Sequence, residues 1–128
     1  MKLKEYQKII EKTAVFPKKQ IGLAYCGLGL TGEAGEVAEK IKKLYRDHNL
    51  GEYRSFKDWF THNNELQFVK DYKKDIVKEL GDCLWYCTAI ANEIGVSIEE
   101  VMEANYNKLI KRRETNTLHG SGDNREEQ

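Results

Sequence analysis

Residues 28–43 read LGLTGEAGEVAEKIKK, and in this stretch apolar side chains return every three or four positions, at Leu30, Ala34, Val37 and Ile41. This period places the four side chains on one face of an α-helix. The same spacing continues in both directions along the chain. We therefore expect one long helix over residues 19–46.

Four glycines lie on or beside the apolar face of this helix, at Gly27, Gly29, Gly32 and Gly35. Each of them destabilises a helix by about 0.5–1 kcal/mol relative to alanine. Their presence indicates the close approach of a neighbouring helix or of a ligand. A kink near residues 29–32 is the alternative interpretation.

Three further segments share the helical period, and their boundaries carry recognisable signals. Pro17 ends the first segment, because the residue before a proline is disfavoured in helical geometry. Gly95 is a C-cap candidate, and Ser97 with Glu100 forms a capping-box pattern. We expect these helices over residues 3–14, 73–94 and 97–113.

The connection over residues 47–72 breaks the pattern, although Phe56, Trp59 and Phe60 suggest a short helical turn within it. A connection of this length is usually functional or mobile. The sequence thus predicts an all-α domain over residues 1–113, a bundle of about four main helices with a long insert between the second and third. The polar tail, residues 114–128, is expected to be disordered or to form a lid over the substrate.

The composition is that of one small domain. The chain has 128 residues, 40% hydrophobic and 33% charged, and 21 basic residues balance 21 acidic ones. This lack of a basic excess argues against binding to nucleic acid by bulk electrostatics. No apolar run approaches the ~20 residues of a membrane span, and the N-terminus has no apolar signal core. We expect a soluble cytoplasmic protein whose three cysteines are reduced.

Two acidic pairs are candidates for a metal site: Glu33 with Glu36, and Glu79 with Asp82. Residues three apart share a helix face, so four carboxylates converge if the two helices are neighbours. Repulsion between them can be relieved by a cation, by protonation or by basic partners. Oxygen ligands suit a hard divalent ion. Alternatively, these are ordinary surface acids paired with lysines, of which the nearest in sequence are Lys40, Lys43, Lys74 and Lys78.

Several motifs in one order give a resemblance that covers nearly the whole chain. They are EYQ (5–7), LGLTGEAGEVAEKIKK (28–43), VKELGDCLWY (77–86), ANYNKLIKR (104–112) and HGSGDNR (119–125). Together they resemble the MazG-like all-α nucleotide pyrophosphohydrolases. The resemblance implies hydrolysis of a nucleoside triphosphate between the α- and β-phosphates, giving nucleoside monophosphate and pyrophosphate. It also implies that Mg²⁺, with Mn²⁺ as a substitute, is held by the catalytic carboxylates Glu33, Glu36, Glu79 and Asp82.

The substrate side of the predicted site lies on two helices. Asn105, Lys108 and Arg112 share one face of the fourth helix, and the resemblance implies that this face contacts phosphates. A solvated basic stripe is the alternative. Tyr86 follows Asp82 by four residues and so shares its face. It is expected to stack on a base or to bond a sugar hydroxyl, or else to fill the core.

The expected partner is a nucleoside triphosphate, of the non-standard or surplus kind, with neither nucleic acid nor membrane involved. The family resemblance also implies a homodimer or homotetramer with sites near subunit contacts. In the insert, Trp59 and Phe60 are candidates to cover the nucleobase. Two other functions remain open: a non-catalytic helical module that binds nucleotide or a protein partner, and a bundle whose acids bind structural metal.

Overall fold

The computed structural model describes residues 1–48 and 50–122, apart from the side chains of residues 18–20. Within those ranges the chain forms helices and connections, without a strand. The all-α prediction is confirmed. None of the described helices is both long and apolar enough to cross a bilayer. The helices are α1 (Leu3–Thr13), α2 (Lys18–Asp47), α3 (Phe56–His62), α4 (Gln67–Glu93) and α5 (Ile98–Glu114).

The insert is more helical than the sequence indicated. The expected turn is the helix α3, and Ser55 caps it by accepting a hydrogen bond from the backbone N–H of Asp58 at 3.1 Å. Helix α4 begins at Gln67 and not at residue 73. It starts earlier because Val69 is fully buried and extends the apolar face of α4 by two turns beyond Ile76.

The turn between α4 and α5 contains the glycine C-cap and the capping box that the sequence predicted. Gly95 has a φ of +76°, which a residue with a side chain adopts only at a cost. The N–H of Val96 donates to the carbonyl of Ala91 at 3.0 Å, and that of Gly95 donates to Asn92 at 3.2 Å, which is a Schellman motif. The expected capping box opens α5, where Ser97 accepts from the Glu100 N–H.

Helices α2 and α4 form the antiparallel centre of the fold. A β-carbon on Gly29 would overlap the ring of Tyr86, and further along α2 the ammonium of Lys40 meets the carboxylate of Glu79. Residue numbers therefore rise along α2 as they fall along α4. This arrangement brings the two acidic sequence motifs to the same level of the pair.

Most of the glycines do not have the close neighbours that the sequence led us to expect. A β-carbon on Gly27, Gly32, Gly35 or Gly81 would meet nothing within 4 Å among the described residues. Among the four glycines of α2 at which the close approach of a helix was expected, the expectation holds at Gly29 and is wrong at Gly27, Gly32 and Gly35. The four open glycines leave the surface beside the acidic residues free of side-chain bulk.

Two separate hydrophobic clusters hold the bundle together, one toward each end of the α2–α4 pair. The first cluster joins α1, α2 and α4, and the second joins α2, α3 and α4. Partly buried aromatic side chains pack around both. The buried members are Ile10, Cys26 and Ala89 in the first cluster, and Leu44, Trp59 and Val69 in the second.

A single glutamine ties three helices together at the first cluster. Gln7 on α1 donates from Nε2 to the Asn92 side chain at 2.6 Å and to the carbonyl of Val96 at 3.0 Å. Its Oε1 accepts from the backbone N–H of Ile98 at 3.1 Å. Because these bonds are partly buried, they fix α1 against the end of α4 and the start of α5.

Candidate metal centre and substrate site

Three carboxylates from two helices converge between the hydrophobic clusters. Glu33 of α2 and Glu79 and Asp82 of α4 each offer an oxygen, and these oxygens all lie within 4.8 Å of one another. We call these three residues the acid cluster. Glu33 and Glu79 are half-buried and Asp82 is exposed. The acid cluster is therefore open to solvent on the side of Asp82, as a substrate site requires.

The fourth predicted carboxylate lies outside this group. Glu36 is exposed on α2, one turn beyond Glu33. It is near enough for its charge to help raise the pKa of Glu33. The structure thus brings three of the four predicted acids together, and their assignment as metal ligands stays a prediction.

The acid cluster is electrostatically strained. Burial raises the pKa of Glu33 above its usual value, and the charges of Asp82, Glu36 and Glu79 raise it further. One cation offsets part of this repulsion, since the Nζ of Lys40 lies 3.1 Å from Oε1 of Glu79. This pair is well shielded, with side-chain exposures of 29% for the lysine and 14% for the acid.

The alternative in which surface lysines neutralise the acids holds in part. Of the four lysines considered as partners, Lys40 pairs with an acid of the acid cluster. The other three pair with acids outside the acid cluster, within residues 1–48 and 50–122. Three of the four predicted carboxylates, Glu33, Glu36 and Asp82, therefore have no ion pair in those ranges, and two of these, Glu33 and Asp82, belong to the acid cluster. The outside pairs are Lys43 with Glu39, Lys74 with Asp71 and Lys78 with Asp75.

Tyr86 stands beside the acid cluster and also belongs to the packing. Its ring lies over Gly29 and packs against the first hydrophobic cluster. Burial raises its pKa, and Tyr25 and Glu33 raise it further. The side chain thus packs in the core, as one of the two interpretations held, and it also flanks the acid cluster. Its contact with a base or a sugar hydroxyl stays a prediction.

Two tyrosines near the site were missed by sequence reasoning. Burial raises the pKa of Tyr6 on α1, and the nearby charge of Asp82 adds to the shift. Tyr25 of α2 lies near Tyr86 of α4 and helps to raise the pKa of the Tyr86 hydroxyl. Tyr25 had a signal, because it precedes Glu33 by two helical turns and so shares its face. Tyr6 had none.

The predicted phosphate-binding residues are not brought to the acid cluster within one chain. Helix α5 packs against α1 and α4. Asn105 is exposed and Lys108 half-buried, and across the described ranges neither has a hydrogen bond or ion pair to the acid cluster. Arg112 is buried at 7% exposure, and its Nη2 donates to the carbonyl of Gly122 at 3.4 Å. Their substrate role remains a prediction.

The structure describes the two aromatic residues expected to cover the substrate and the first part of the expected tail. Trp59 is only 4% exposed, at the centre of the second hydrophobic cluster, so the expectation that it covers a base is wrong. Phe60 is half-buried, and its role as a cover for the base stays a prediction. Helix α5 continues to Glu114, and residues 115–122 follow it as turns and bends. The rest of the expected tail, residues 123–128, lies outside the described residues.

Comparison with known proteins identifies the family. Residues 24–117 match the family model described as "MazG nucleotide pyrophosphohydrolase domain". This range contains α4 and α5, nearly all of α2, and the whole acid cluster. The chain belongs to the MazG nucleotide pyrophosphohydrolase family.

Two curated relatives support this placement. The chain is 35% identical over 125 residues to "Gene 37 protein" of Mycobacterium phage L5, covering 94% of this chain and 96% of that protein. It is 31% identical over 83 residues to "Uncharacterized protein YvdC" of Bacillus subtilis (strain 168), covering 65% and 68%. No solved structure matches the chain.

Proposed function

We propose that this protein hydrolyses (d)NTPs between the α- and β-phosphates, releasing (d)NMP and pyrophosphate in a Mg²⁺-dependent reaction. Its role would be to remove non-standard or surplus nucleotides from the cytoplasmic pool. The observation that carries the proposal is the convergence of Glu33, Glu79 and Asp82 within 4.8 Å in a chain of the MazG family.

The donor chemistry of the acid cluster fits a hard divalent cation. All three side chains offer carboxylate oxygens, which Mg²⁺ and Mn²⁺ prefer. Glu36 lies one turn away and would complete the set. When bound, Mg²⁺ neutralises the charge of the phosphate oxygens and makes the phosphorus more open to attack by water.

The protein's own groups have distinct parts in the proposed reaction. Glu33 accepts the proton of the attacking water at its carboxylate, because it is half-buried beside Glu79 and Asp82, where the phosphates must lie. Lys40 fixes the orientation of Glu79 through their ion pair. On the opposite side of the substrate, Lys108 supplies positive charge to the phosphates and Asn105 a hydrogen bond.

Self-association belongs to the proposal, because Asn105 and Lys108 lie away from the acid cluster of their own chain. In a homodimer or homotetramer, α5 of one copy would present this face to the acid cluster of another. The exposed apolar side chains of α5, such as Tyr106, support such a contact.

The test is pyrophosphate release from a panel of canonical and modified (d)NTPs with Mg²⁺. Glu79→Gln is expected to lower kcat by at least ~10²-fold. Its matched control is Glu39→Gln, an α2 acid that also pairs with lysine but lies outside the acid cluster. Lys108→Ala should raise KM more than it lowers kcat, because it removes a contact made in both ground and transition states.

Two outcomes would contradict the proposal. If Glu79→Gln keeps a kcat near that of Glu39→Gln at saturating Mg²⁺, the acid cluster is ordinary surface charge. If nucleotides bind but none of the panel releases pyrophosphate, the chain is a binding module that keeps the family fold.

A further inference from the structure

A large apolar cavity opens where the insert packs on the α2–α4 pair. Its volume is about 770 Å³, and we call it the insert cavity. Side chains from three helices form most of its wall: Ile41 and Leu44 of α2, Phe56 and Phe60 of α3, and Tyr72 and Ile76 of α4. An apolar wall of this kind, open to solvent at the exposed Ile41, suits an apolar partner that excludes water.

The polar part of the insert cavity is positively charged. Lys57 of α3 and Lys73 of α4 belong to its lining, which includes no acidic residue in the described part of the chain. Neither lysine forms an ion pair within residues 1–48 and 50–122. The Nζ of Lys73 donates to Oδ1 of Asn64 at 2.9 Å, and that amide is uncharged. The occupant should therefore carry acidic groups beside its apolar ones.

Helix α5 carries an apolar stripe with an acidic edge. Met102, Tyr106 and Leu109 follow the spacing i, i+4, i+7, and they are 52%, 63% and 46% exposed. This is the spacing with which an amphipathic helix anchors in an apolar groove. Glu99 precedes Met102 by three residues and Glu103 precedes Tyr106 by three, so both exposed acids lie along the stripe.

The opposite edge of this stripe carries the predicted phosphate-binding residues. Asn105 follows Met102 by three residues and so lies beside it. Lys108 follows Glu103 by five residues, which is about 140° around the helix. Helix α5 therefore presents an acidic edge and a basic edge with apolar side chains between them.

The insert cavity has charges that match both edges. Lys73 precedes Glu79 by six residues, about 9 Å along the axis of α4, and Ile76 of the wall lies between them. Positive charge is thus found on one side of the apolar wall and the carboxylates of the acid cluster on the other. A helix with an acidic and a basic edge complements this order.

Helix α5 is held away from the insert cavity of its own chain. The N–H of Ile98 donates to Oε1 of Gln7 at 3.1 Å, which fixes the start of α5 at the first hydrophobic cluster. Leu44, Phe60 and Tyr72 place the insert cavity at the second cluster, toward the other end of the α2–α4 pair. In a two-fold dimer each copy can offer its α5 and receive the other, so that every contact occurs twice.

We propose that the insert cavity receives α5 of a second copy of this chain. Met102 and Tyr106 pack on the apolar wall, and Glu103 lies beside Lys57. The docking brings Asn105 and Lys108 of one copy toward the acid cluster of the other. The inference deepens the proposed function and rests on it for the role of these two residues, whereas the docking itself needs no substrate.

Reversing one charge pair tests the docking by sedimentation equilibrium of the full chain. Lys57→Glu and Glu103→Lys should each raise the dissociation constant of the dimer at least about 10-fold, because each places like charges together at both contacts. The double variant should associate within about threefold of the wild type. Glu11→Lys, at an exposed acid of α1, is the control and should change the constant less than about twofold.

Three results of this experiment would overturn the inference. The single variants could associate like the wild type, or the double variant could associate no more tightly than the single ones. A wild-type protein that stays monomeric at micromolar concentration would leave the insert cavity to another occupant. Because both exchanged side chains are exposed, helical circular dichroism should match that of the wild type in every variant.

The indole N–H resonances of the two tryptophans locate the contact. The ring centroid of Trp59 lies 5.0 Å from that of Phe60 in the cavity wall, whereas Trp85 bonds the Thr13 hydroxyl at 3.0 Å, away from the cavity. On dilution, the Trp59 resonance should shift with the midpoint found by sedimentation, and Tyr106→Glu should abolish this transition. A shift of Trp59 no larger than that of Trp85 would place the contact elsewhere and overturn the inference.

The inference and the proposed function fail separately. Rescue by the double charge reversal in a protein that releases no pyrophosphate would sustain the docking and contradict the hydrolase function. Pyrophosphate release without coupling between Lys57 and Glu103 would overturn the docking and leave the hydrolase function intact.

Discussion

The Nζ of Lys40 lies 3.1 Å from Oε1 of Glu79, and this ion pair lies at the end of the acid cluster nearest to the apolar cavity lined by Ile41 and Ile76. Glu79 therefore has two competing electrostatic partners when a cation binds. Lys40 is expected to limit how strongly the acid cluster attracts metal, and to stabilise the protein when metal is absent.

Replacing Lys40 should separate these two effects. We expect Lys40→Gln to lower the metal-free free energy of unfolding by about 1 kcal/mol and to enlarge the stabilisation by Mg²⁺ or Mn²⁺. Thermal unfolding with and without metal measures both. Lys43→Gln is the control, because Lys43 pairs with the exposed Glu39. Equal effects of the two substitutions would show that the Lys40 pair is ordinary surface charge.

Metal binding itself should stabilise the fold, because a cation relieves the repulsion among the three carboxylates. At a concentration 100 times its Kd, Mg²⁺ would add about 2.7 kcal/mol. Asp82→Asn should weaken this effect and leave the metal-free Tm unchanged or higher. Asp75→Asn, whose acid pairs with Lys78 outside the acid cluster, should respond to metal as the wild type does. A melting curve that metal never shifts would contradict the metal site.

The capping box of α5 gives a pH-dependent contribution. Oε2 of Glu100 accepts hydrogen bonds from the Ser97 hydroxyl and N–H, both at 2.7 Å, and these bonds lower the pKa of the carboxyl. Because the pKa of the Glu100 carboxyl is lower in the folded than in the unfolded protein, its ionised form stabilises the fold. This stabilisation is fully present above the pKa of the unfolded state, and it is lost as the pH falls through the pKa of the folded state.

Ser97→Ala tests this linkage. At neutral pH it should cost about 1 kcal/mol of stability, and the pKa of Glu100 in an NMR titration should return toward its ordinary value. The stability difference from wild type should shrink as the pH falls below the unfolded pKa. Ser121→Ala in the exposed tail is the control. A Glu100 pKa that does not move would show that the box is unimportant.

Arg112 is expected to anchor the tail. Its buried guanidinium bonds Gly122, so Arg112→Ala should destabilise the protein by about 1–2 kcal/mol and speed chymotrypsin cleavage after Leu118. The exposed neighbour Arg113 supplies the control, Arg113→Ala. A higher KM without loss of stability would instead support the phosphate contact that the sequence indicated.

The exposed apolar residues of α5 predict self-association. Val101, Met102, Tyr106 and Leu109 are all exposed in one chain. Sedimentation should show an active species of at least twice the 14.9 kDa of the chain. Tyr106→Glu should shift it toward monomer, and Val15→Glu, outside α5, should not. An active wild-type monomer at micromolar concentration would refute the prediction.

The helices and the acidic pairs were accessible to sequence reasoning because both depend on local spacing. The apolar period of α2 and the Ser97–Glu100 pattern each report on a single helix, and the structure confirms both. The meeting of Glu33 with Glu79 needed one further assumption, that their helices are neighbours. Helix α4 was underestimated because Val69 lies among polar and aromatic residues that read as a connection.

Features that depend on how elements rotate against each other could not be predicted. Lys40 and Lys43 are both plausible partners for the acids, and only the rotation of α2 against α4 selects Lys40. Phe60 and Ile41 line one apolar cavity, although a connection whose path the sequence does not specify lies between them in the chain. Trp59 and Phe60 are adjacent, yet helix geometry turns one inward and leaves the other at the cavity.

The two hydrophobic clusters share no buried residue, and this separation affects which substitutions the sequence can accept. Substitutions around Phe56 and Tyr72 alter one end of the molecule, while Gln7 and Ile10 continue to hold α1 and α5 at the other. The carboxylates of the acid cluster lie on α2 and α4, the two helices that both clusters share, so their positions depend on neither cluster alone. Such a division lets one end of the molecule diverge among related chains, or be redesigned, while the other end keeps its packing.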